Sequence, residues 1–340
     1  MALQLPYILP ELNELARLAQ DAGAYARLET LGLVHYRNHE LPLQLLQLGS
    51  RSKHAPVLAL FGGVHGIERI GTEVVLAYLH SLVASLCWSS LTHRLLERVS
   101  LVFMPVVNPV GMLRATRCNG NGVDLMRNSP VNATDKVRWP LGGQRLSRHF
   151  PWYRGDQLEP EARALCLAVE RHLSGRPLAL ALDCHSGYGY RDRLWFPFAG
   201  SKSAPPHLAE IMALRALFLN TYPHHSYYDI EPQWLHYLTH GDLWDHLILQ
   251  HQPQPGRLLS FTLEMGSWLW IRKNPVQLLR LSGLFNPQKP HRHQRILRRH
   301  LILFDFLARS VESHALWLPD RSQSERLLQE AQSLWFKQPA

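Results

Sequence analysis

Apolar and polar positions along the 340-residue chain change period several times, and each change predicts an element. Over residues 9–28 leucines and alanines recur at helical spacing, which predicts an N-terminal helix ending before Gly32. Residues 33–36 and 41–48 read as two strands around Asn38-His39-Glu40, and 56–61 is a short apolar run of the buried-strand kind, stopped by Gly62-Gly63. Helical spacing returns over 71–86. Another apolar run, 99–107, ends near Asn108-Pro109, and 159–173 opens with acidic residues suited to a helix N-terminus. Strands are expected at 178–184 and 257–263, and helices at 207–219, 241–249, 294–310 and 322–336.

Strand runs interleaved with helices predict an α/β fold: a mixed parallel/antiparallel central sheet covered by helices on both faces. No internal repeat or low-complexity linker divides the chain, so the expectation is a single domain over 1–340. Its core would span about 33–315, with helices 9–28 and 322–336 added at the ends.

Composition narrows the class. Hydrophobic residues make up 46% and charged residues 19%, a globular balance rather than a disordered or disulfide-scaffold one. Lysine and arginine outnumber acidic residues 36 to 27, a formal charge of +9, but the excess is dispersed. Its one dense run, 289–300, opens a helix and reads as a solvated face. With no zinc-finger spacing, RNP-type motif or phosphate loop, no nucleic-acid partner is expected. Cys87, Cys118, Cys166 and Cys184 form no C-x-x-C pair, which suits a reducing compartment. The N-terminus lacks a basic n-region, and no apolar stretch approaches the roughly 20 residues of a membrane span. A cytoplasmic protein without membrane association is the resulting expectation.

Ligands of open α/β sheets bind beyond the carboxyl ends of strands, so polar residues directly after apolar runs are the candidates for chemistry. Three such ends carry His65 and Glu68 (GGVHGIE), His185 (DCHSG) and Glu264 (FTLEMG). Catalytic zinc commonly takes three protein ligands of the His/His/Glu kind and keeps a fourth position open. His65, Glu68 and His185 could supply that set. The glycines before His65 let the chain turn off its strand. The segment after Asn108-Pro109 is rich in polar groups, Arg114, Arg117, Asn119, Asn121, Asp124, Arg127 and Asn128, and suits an anion; a polar surface loop with Asn-Gly turns is the alternative. Asp183 either bonds a ligand histidine or merely ends its strand, and Cys184 alternates away toward the core. Trp195, Phe196 and Phe198 wall the pocket or fill the core. Nothing in the spacing of His224, His225, His236 and His240 makes a second metal set.

GGVHGIE, NPVGMLRATRCNGNGVDLMRN, DCHSG and FTLEMG stand in the order and spacing of the zinc carboxypeptidase (M14) family, which the chain resembles over roughly residues 33–270. It looks more like the bacterial branch that includes murein-peptide amidases than like the digestive enzymes. The resemblance implies one zinc ion on His65, Glu68 and His185, with Glu264 as general base and acid. It further implies Arg117 polarising the scissile carbonyl, Arg127 holding the substrate's terminal carboxylate, and Tyr237 capping the substrate, with Tyr227 and Tyr228 as neighbouring alternatives. The family's asparagine before Arg127 is replaced by Met126, which cannot donate a hydrogen bond; Asn128 or another group would substitute. The implied activity is hydrolysis of an amide bond next to a carboxylate-bearing residue, as a metallocarboxypeptidase or peptide amidase. Its substrate would be a small peptide or amino-acid derivative with a free carboxylate. The alternative is an N-acyl amino acid deacylase of the succinylglutamate desuccinylase/aspartoacylase type, which shares the metal motif.

Overall fold

The computed structural model describes residues 7–336 and is built on one eight-stranded mixed sheet. Its strands are β1 (Ala26–Tyr36), β2 (His39–Gly49), β3 (Val57–Gly62), β4 (Ser100–Met104), β5 (Ala179–Ser186), β6 (Asp192–Phe196), β7 (Tyr228–Pro232) and β8 (Leu258–Met265). They lie in the order β1-β2-β4-β3-β5-β8-β6-β7. The central strands β4, β3, β5 and β8 run parallel, while β1 and β2 on one side and the β8–β6 pair on the other are antiparallel. The expected fold class therefore holds, because β3, β5 and β8 are apolar on both faces and need cover on both.

The helices are α1 (Pro10–Asp21), α2 (Arg69–Ser85), α3 (Ser90–Arg98), α4 (Pro109–Arg114), α5 (Pro160–His172), α6 (Leu208–Thr221), α7 (Leu243–His251), α8 (Trp268–Lys273), α9 (Pro290–Glu312), α10 (His314–Trp317) and α11 (Arg321–Ala331). One face of the sheet packs through Leu58, Leu60, Leu180, Leu182, Leu263 and Met265 onto α2, α6 and α9. The other packs through Val57, Ala59, Phe61, Ala179 and Ala181 onto α5 and α7. Side chains alternate along a strand, so the next positions on this second face are Asp183 and His185 on β5 and Thr262 and Glu264 on β8. At the C-terminal ends of these strands the helix cover stops, and the core gives way to polar residues.

The expected helix 9–28 is corrected. The chain leaves the helix at Asp21, turns through Gly23 at φ +54°, and begins β1 at Ala26. Leu28 thus belongs to a strand, and the helix-like leucine spacing joined two elements across a glycine stop. The C-terminal helix is α11, which passes at Gln332–Phe336 into a π turn. Strands β6 and β7 were missed because both are five residues long and carry polar residues on one face.

Candidate active site

Strand β3 delivers the first metal candidate. Gly63, at φ +66°, turns the chain off the strand where a Cβ would stand 2.7 Å from Thr72 Oγ1 and 2.9 Å from the Met112 methyl. Further on, a Cβ at Gly66 would fall 2.0 Å from the Gly111 carbonyl carbon. The segment between β3 and α2 is therefore pressed against α4. His65 and Glu68 are held at 3% and 2% exposure.

His185 comes from β5, and the parallel register sets it directly beside Glu264 on β8. One ligand atom from each of His65, Glu68 and His185 lies within 4.8 Å of the others, the only such cluster among the described residues. His185 Nδ1 is 3.0 Å from Glu68 Oε2, which also accepts from Ser186 N at 3.1 Å. On the far side of the ring, Nε2 lies 2.8 Å from Asp183 Oδ2, an oxygen that also accepts from the Trp244 indole at 3.0 Å. Asp183 is therefore an ionic neighbour of a candidate ligand, although His185 Nε2 makes no hydrogen bond to it. Burial works against charge on His185, but Asp183 and Glu68 outweigh it and raise its pKa well above the ordinary value; burial and then Arg117 push that of His65 well below.

Two imidazoles and a carboxylate facing one point, with His65 Nδ1 buried and lacking a hydrogen-bond partner, fit a zinc ion. The other histidines of the sequence lie elsewhere: His236, for instance, pairs with Glu231 at 2.7 Å, and His240 Nδ1 accepts from Ala133 N at 3.0 Å.

Glu264 is 7% exposed, and its Oε1 accepts from Tyr188 N at 2.9 Å. Burial first, and the Glu68 carboxylate second, raise its pKa to about 8. Arg117 reaches over the cluster with Nη1 3.2 Å from Glu68 Oε1 and Nε 2.9 Å from Asp124 Oδ2. Asp124, fully buried, also receives Arg127 Nη1 at 3.1 Å and Met126 N at 3.2 Å, and lies 3.8 Å from His65 Nδ1. The sequence places this residue in the polar segment after Asn108-Pro109 but assigns it no role of its own. It anchors both arginines and neighbours a metal candidate, and the two arginines hold its own carboxyl below the ordinary range.

His65, Glu68, His185, Glu264 and Arg117 line a cavity of about 790 Å³. Arg127 lies on its wall at 3% exposure, with Nε donating to Leu141 O at 3.0 Å. Met126 lines the cavity too. Asn128 does not, and its expected part in substrate binding is corrected. Its amide donates to Arg154 O and Gln157 O, both at 2.8 Å, and its Oδ1 accepts from Glu159 N at 2.7 Å. Every polar atom of the side chain is spent on tying loops together behind the site.

Of the three tyrosines, Tyr237 lines the cavity, within electrostatic reach of Arg127, Glu264 and Arg117. Tyr228 is buried against His300 and Tyr227 stacks with Arg299. The aromatic trio divides by strand alternation: Trp195 faces the cavity with Thr262 opposite it in register, Phe196 enters the core on the other face, and Phe198 is buried beside α7. Thr262 and Gln233 also line the cavity, although neither had a motif to betray it.

The family model described as zinc carboxypeptidase matches residues 15–268. Carboxypeptidase SOL1 of Arabidopsis thaliana is 32% identical over 92 residues, covering 26% of this chain and 19% of that protein. The chain spans less than a fifth of the length of the curated relatives it matches. Among solved structures, the carboxypeptidase A of Helicoverpa armigera superposes with a TM-score of 0.66 at 18% identity, over 88% of this chain and 71% of that one. Bovine thrombin-activatable fibrinolysis inhibitor, in complex with tick carboxypeptidase inhibitor, gives 0.64 at 18% identity over 92% and 98%.

Proposed function

Because the chain belongs to the zinc carboxypeptidase family, we propose that it hydrolyses the amide bond preceding a C-terminal, carboxylate-bearing residue of a peptide. The observation that carries the reading is the convergence of His65, Glu68 and His185 with Glu264 and Arg117 in one cavity whose deep wall holds Arg127. One zinc ion on the three donors supplies Lewis-acid polarisation of a carbonyl and acidifies water.

This chain's residues do the rest. Glu264 is poised near neutrality, and with Oε1 engaged by Tyr188 N, its other oxygen is the one to accept a proton from water and return it to the leaving nitrogen. Arg117 presents a positive charge, fixed by Asp124 and Glu68, to the oxygen on which negative charge develops. Arg127 receives the terminal carboxylate, with Tyr237 across from it. Met126 adds an apolar wall where the family's asparagine would donate, and since Asn128 is turned away, neither neighbour of Arg127 in the chain offers the carboxylate an amide.

The four free cysteines favour a reducing, cytoplasmic setting, and the placement of every site residue on or around one sheet favours a single catalytic unit. The test is mass-spectrometric product release from a panel of free peptides, murein-type peptides and N-acyl amino acids. Release of a C-terminal residue supports the reading; release of only an acyl group overturns it in favour of a deacylase.

A further inference from the structure

The cavity has a closed end and an open one, and they differ in charge. Arg127 marks the closed end, whereas Arg114, Arg148 and His149 line the cavity while exposed to solvent. A peptide whose C-terminal carboxylate sits on the buried Arg127 leaves through the solvent-exposed rim of the cavity, which Arg114 and Arg148 share with Phe150 and Leu281. Whatever lines that rim therefore meets the residues upstream of the scissile bond.

Two arginines converge there on one turn. Arg114 Nη1 lies 3.4 Å from Gly120 O, and Arg148 packs against the same turn, its Cβ 3.2 Å from where a Cβ on Gly122 would stand. Neither makes a salt bridge among the described residues, although most other ionic groups near the site do. The carboxylates on the cavity wall belong to the deep end: Glu68 to the metal cluster, Glu264 beside it on β8, and Asp242 to the cap of α7 through Trp244 N and Asp245 N. Glu159, which also approaches the turn, is taken up by the amides of Asn119 and Asn121 at 2.9 and 2.6 Å. The mouth thus presents two arginines that no carboxylate engages in a salt bridge among the described residues, Glu159 being held by amides instead.

We infer that the open end is a subsite for acidic side chains, and that the preferred substrates are peptides carrying glutamate or aspartate upstream of the bond to be cut. The direction in which the peptide lies rests on the peptidase reading. The guanidinium forks suit carboxylates geometrically, and their exposure sets the size of the effect. An exposed pair contributes about 0.2–1 kcal/mol, so two together give roughly a 2- to 25-fold preference.

The test measures binding and turnover separately. Peptides identical except for Glu, Gln or Lys at the upstream positions are titrated by fluorescence anisotropy into the zinc-loaded Glu264→Gln protein, and turned over by the wild type. The Glu peptide is expected to bind several-fold more tightly than the Gln peptide, with the ratio shrinking as salt rises. Arg114→Gln combined with Arg148→Gln should bring the ratio close to one, and Arg114→Glu with Arg148→Glu should turn it toward the Lys peptide. Equal binding of Glu and Gln peptides, or a ratio that survives the double substitution, overturns the inference. If the ratio behaves as expected but the wild type cuts none of the peptides, the peptidase reading falls while the acidic subsite stands. Turnover of all three peptides without discrimination removes the subsite and leaves the peptidase reading in place.

Discussion

Asp124→Asn removes one charge and almost no volume from the point where the site's two arginines meet. Asp124 is fully buried, Arg127 is 3% exposed and Arg117 is 28% exposed, so solvent cannot replace what is lost around Arg127. Two charge-assisted hydrogen bonds, at 2.9 and 3.1 Å, end on one carboxylate oxygen. At about 1.5–3 kcal/mol each they sum to roughly 3–6 kcal/mol. Breaking a buried ion pair by removing one partner independently gives about 3–5 kcal/mol. A domain in the upper part of the ordinary range of about 5–15 kcal/mol would remain folded but much closer to its threshold. Urea unfolding of wild type and variant, both without metal, reads the loss as a lowered midpoint, and a zinc competition titration reads any effect on His65. Because the carboxyl's pKa is depressed on folding, its stabilisation is present above the ordinary value of 3.8 and fades as pH falls below it. The variant should lack that acid limb. A loss under about 1 kcal/mol would refute the view that Asp124 holds the two arginines in place.

Further expectations follow from the same geometry. His300 is buried between Tyr228 and Asp192, and burial, then Arg299, lowers its pKa to about 4, so its neutral form stabilises the fold fully above 6.5 and that stabilisation drains away toward 4. Unfolding free energies from urea titration at about pH 8 and about pH 5 should differ by roughly 2 kcal/mol more in wild type than in His300→Gln; equal differences would remove His300 from the pH response. Gly66→Ala drives a Cβ into the Gly111 backbone, so a cost of about 1–3 kcal/mol and weakened zinc binding are expected, checked by thermal melts and metal titration. Amidating a substrate's C-terminus removes the charge offered to Arg127 and should lower kcat/KM by about 10- to 150-fold, the equivalent of a charged hydrogen bond; an unchanged value would show that Arg127 does not read the terminal carboxylate.

The chemistry was more legible in the sequence than the supports around it. His65, Glu68, His185 and Glu264 stand at the ends of apolar runs, and a polar residue following a buried strand is conspicuous because the sheet's open edge is where helix cover ends. The anchoring role of Asp124 was hidden because its partners lie on both sides of it in a loop without periodicity, and an aspartate in an Asn/Gly-rich segment reads equally well as turn chemistry. Asn128 shows the converse: a donor beside Arg127 in sequence faces the opposite way in space, because the 3-10 turn Leu125–Arg127 ends at it and sends its amide toward residues 154–159. Trp195 and Phe196 were joined in one aromatic cluster by the sequence and separated by the pleat, since adjacent strand residues point to opposite faces. The boundary at residues 21–26 needed the positive φ of Gly23, which spacing alone does not display.

Proton transfer by Glu264 is tested most directly by a paired measurement on wild type and Glu264→Gln: zinc bound per chain, and the rate of C-terminal residue release from a peptide that the wild type cuts. Glu264 belongs to the proton path and not to the metal cluster, so the variant should bind zinc as the wild type does while its rate falls by about 100- to 10,000-fold. A variant that keeps its rate, or one that loses its zinc along with it, would contradict the assignment of proton transfer to Glu264.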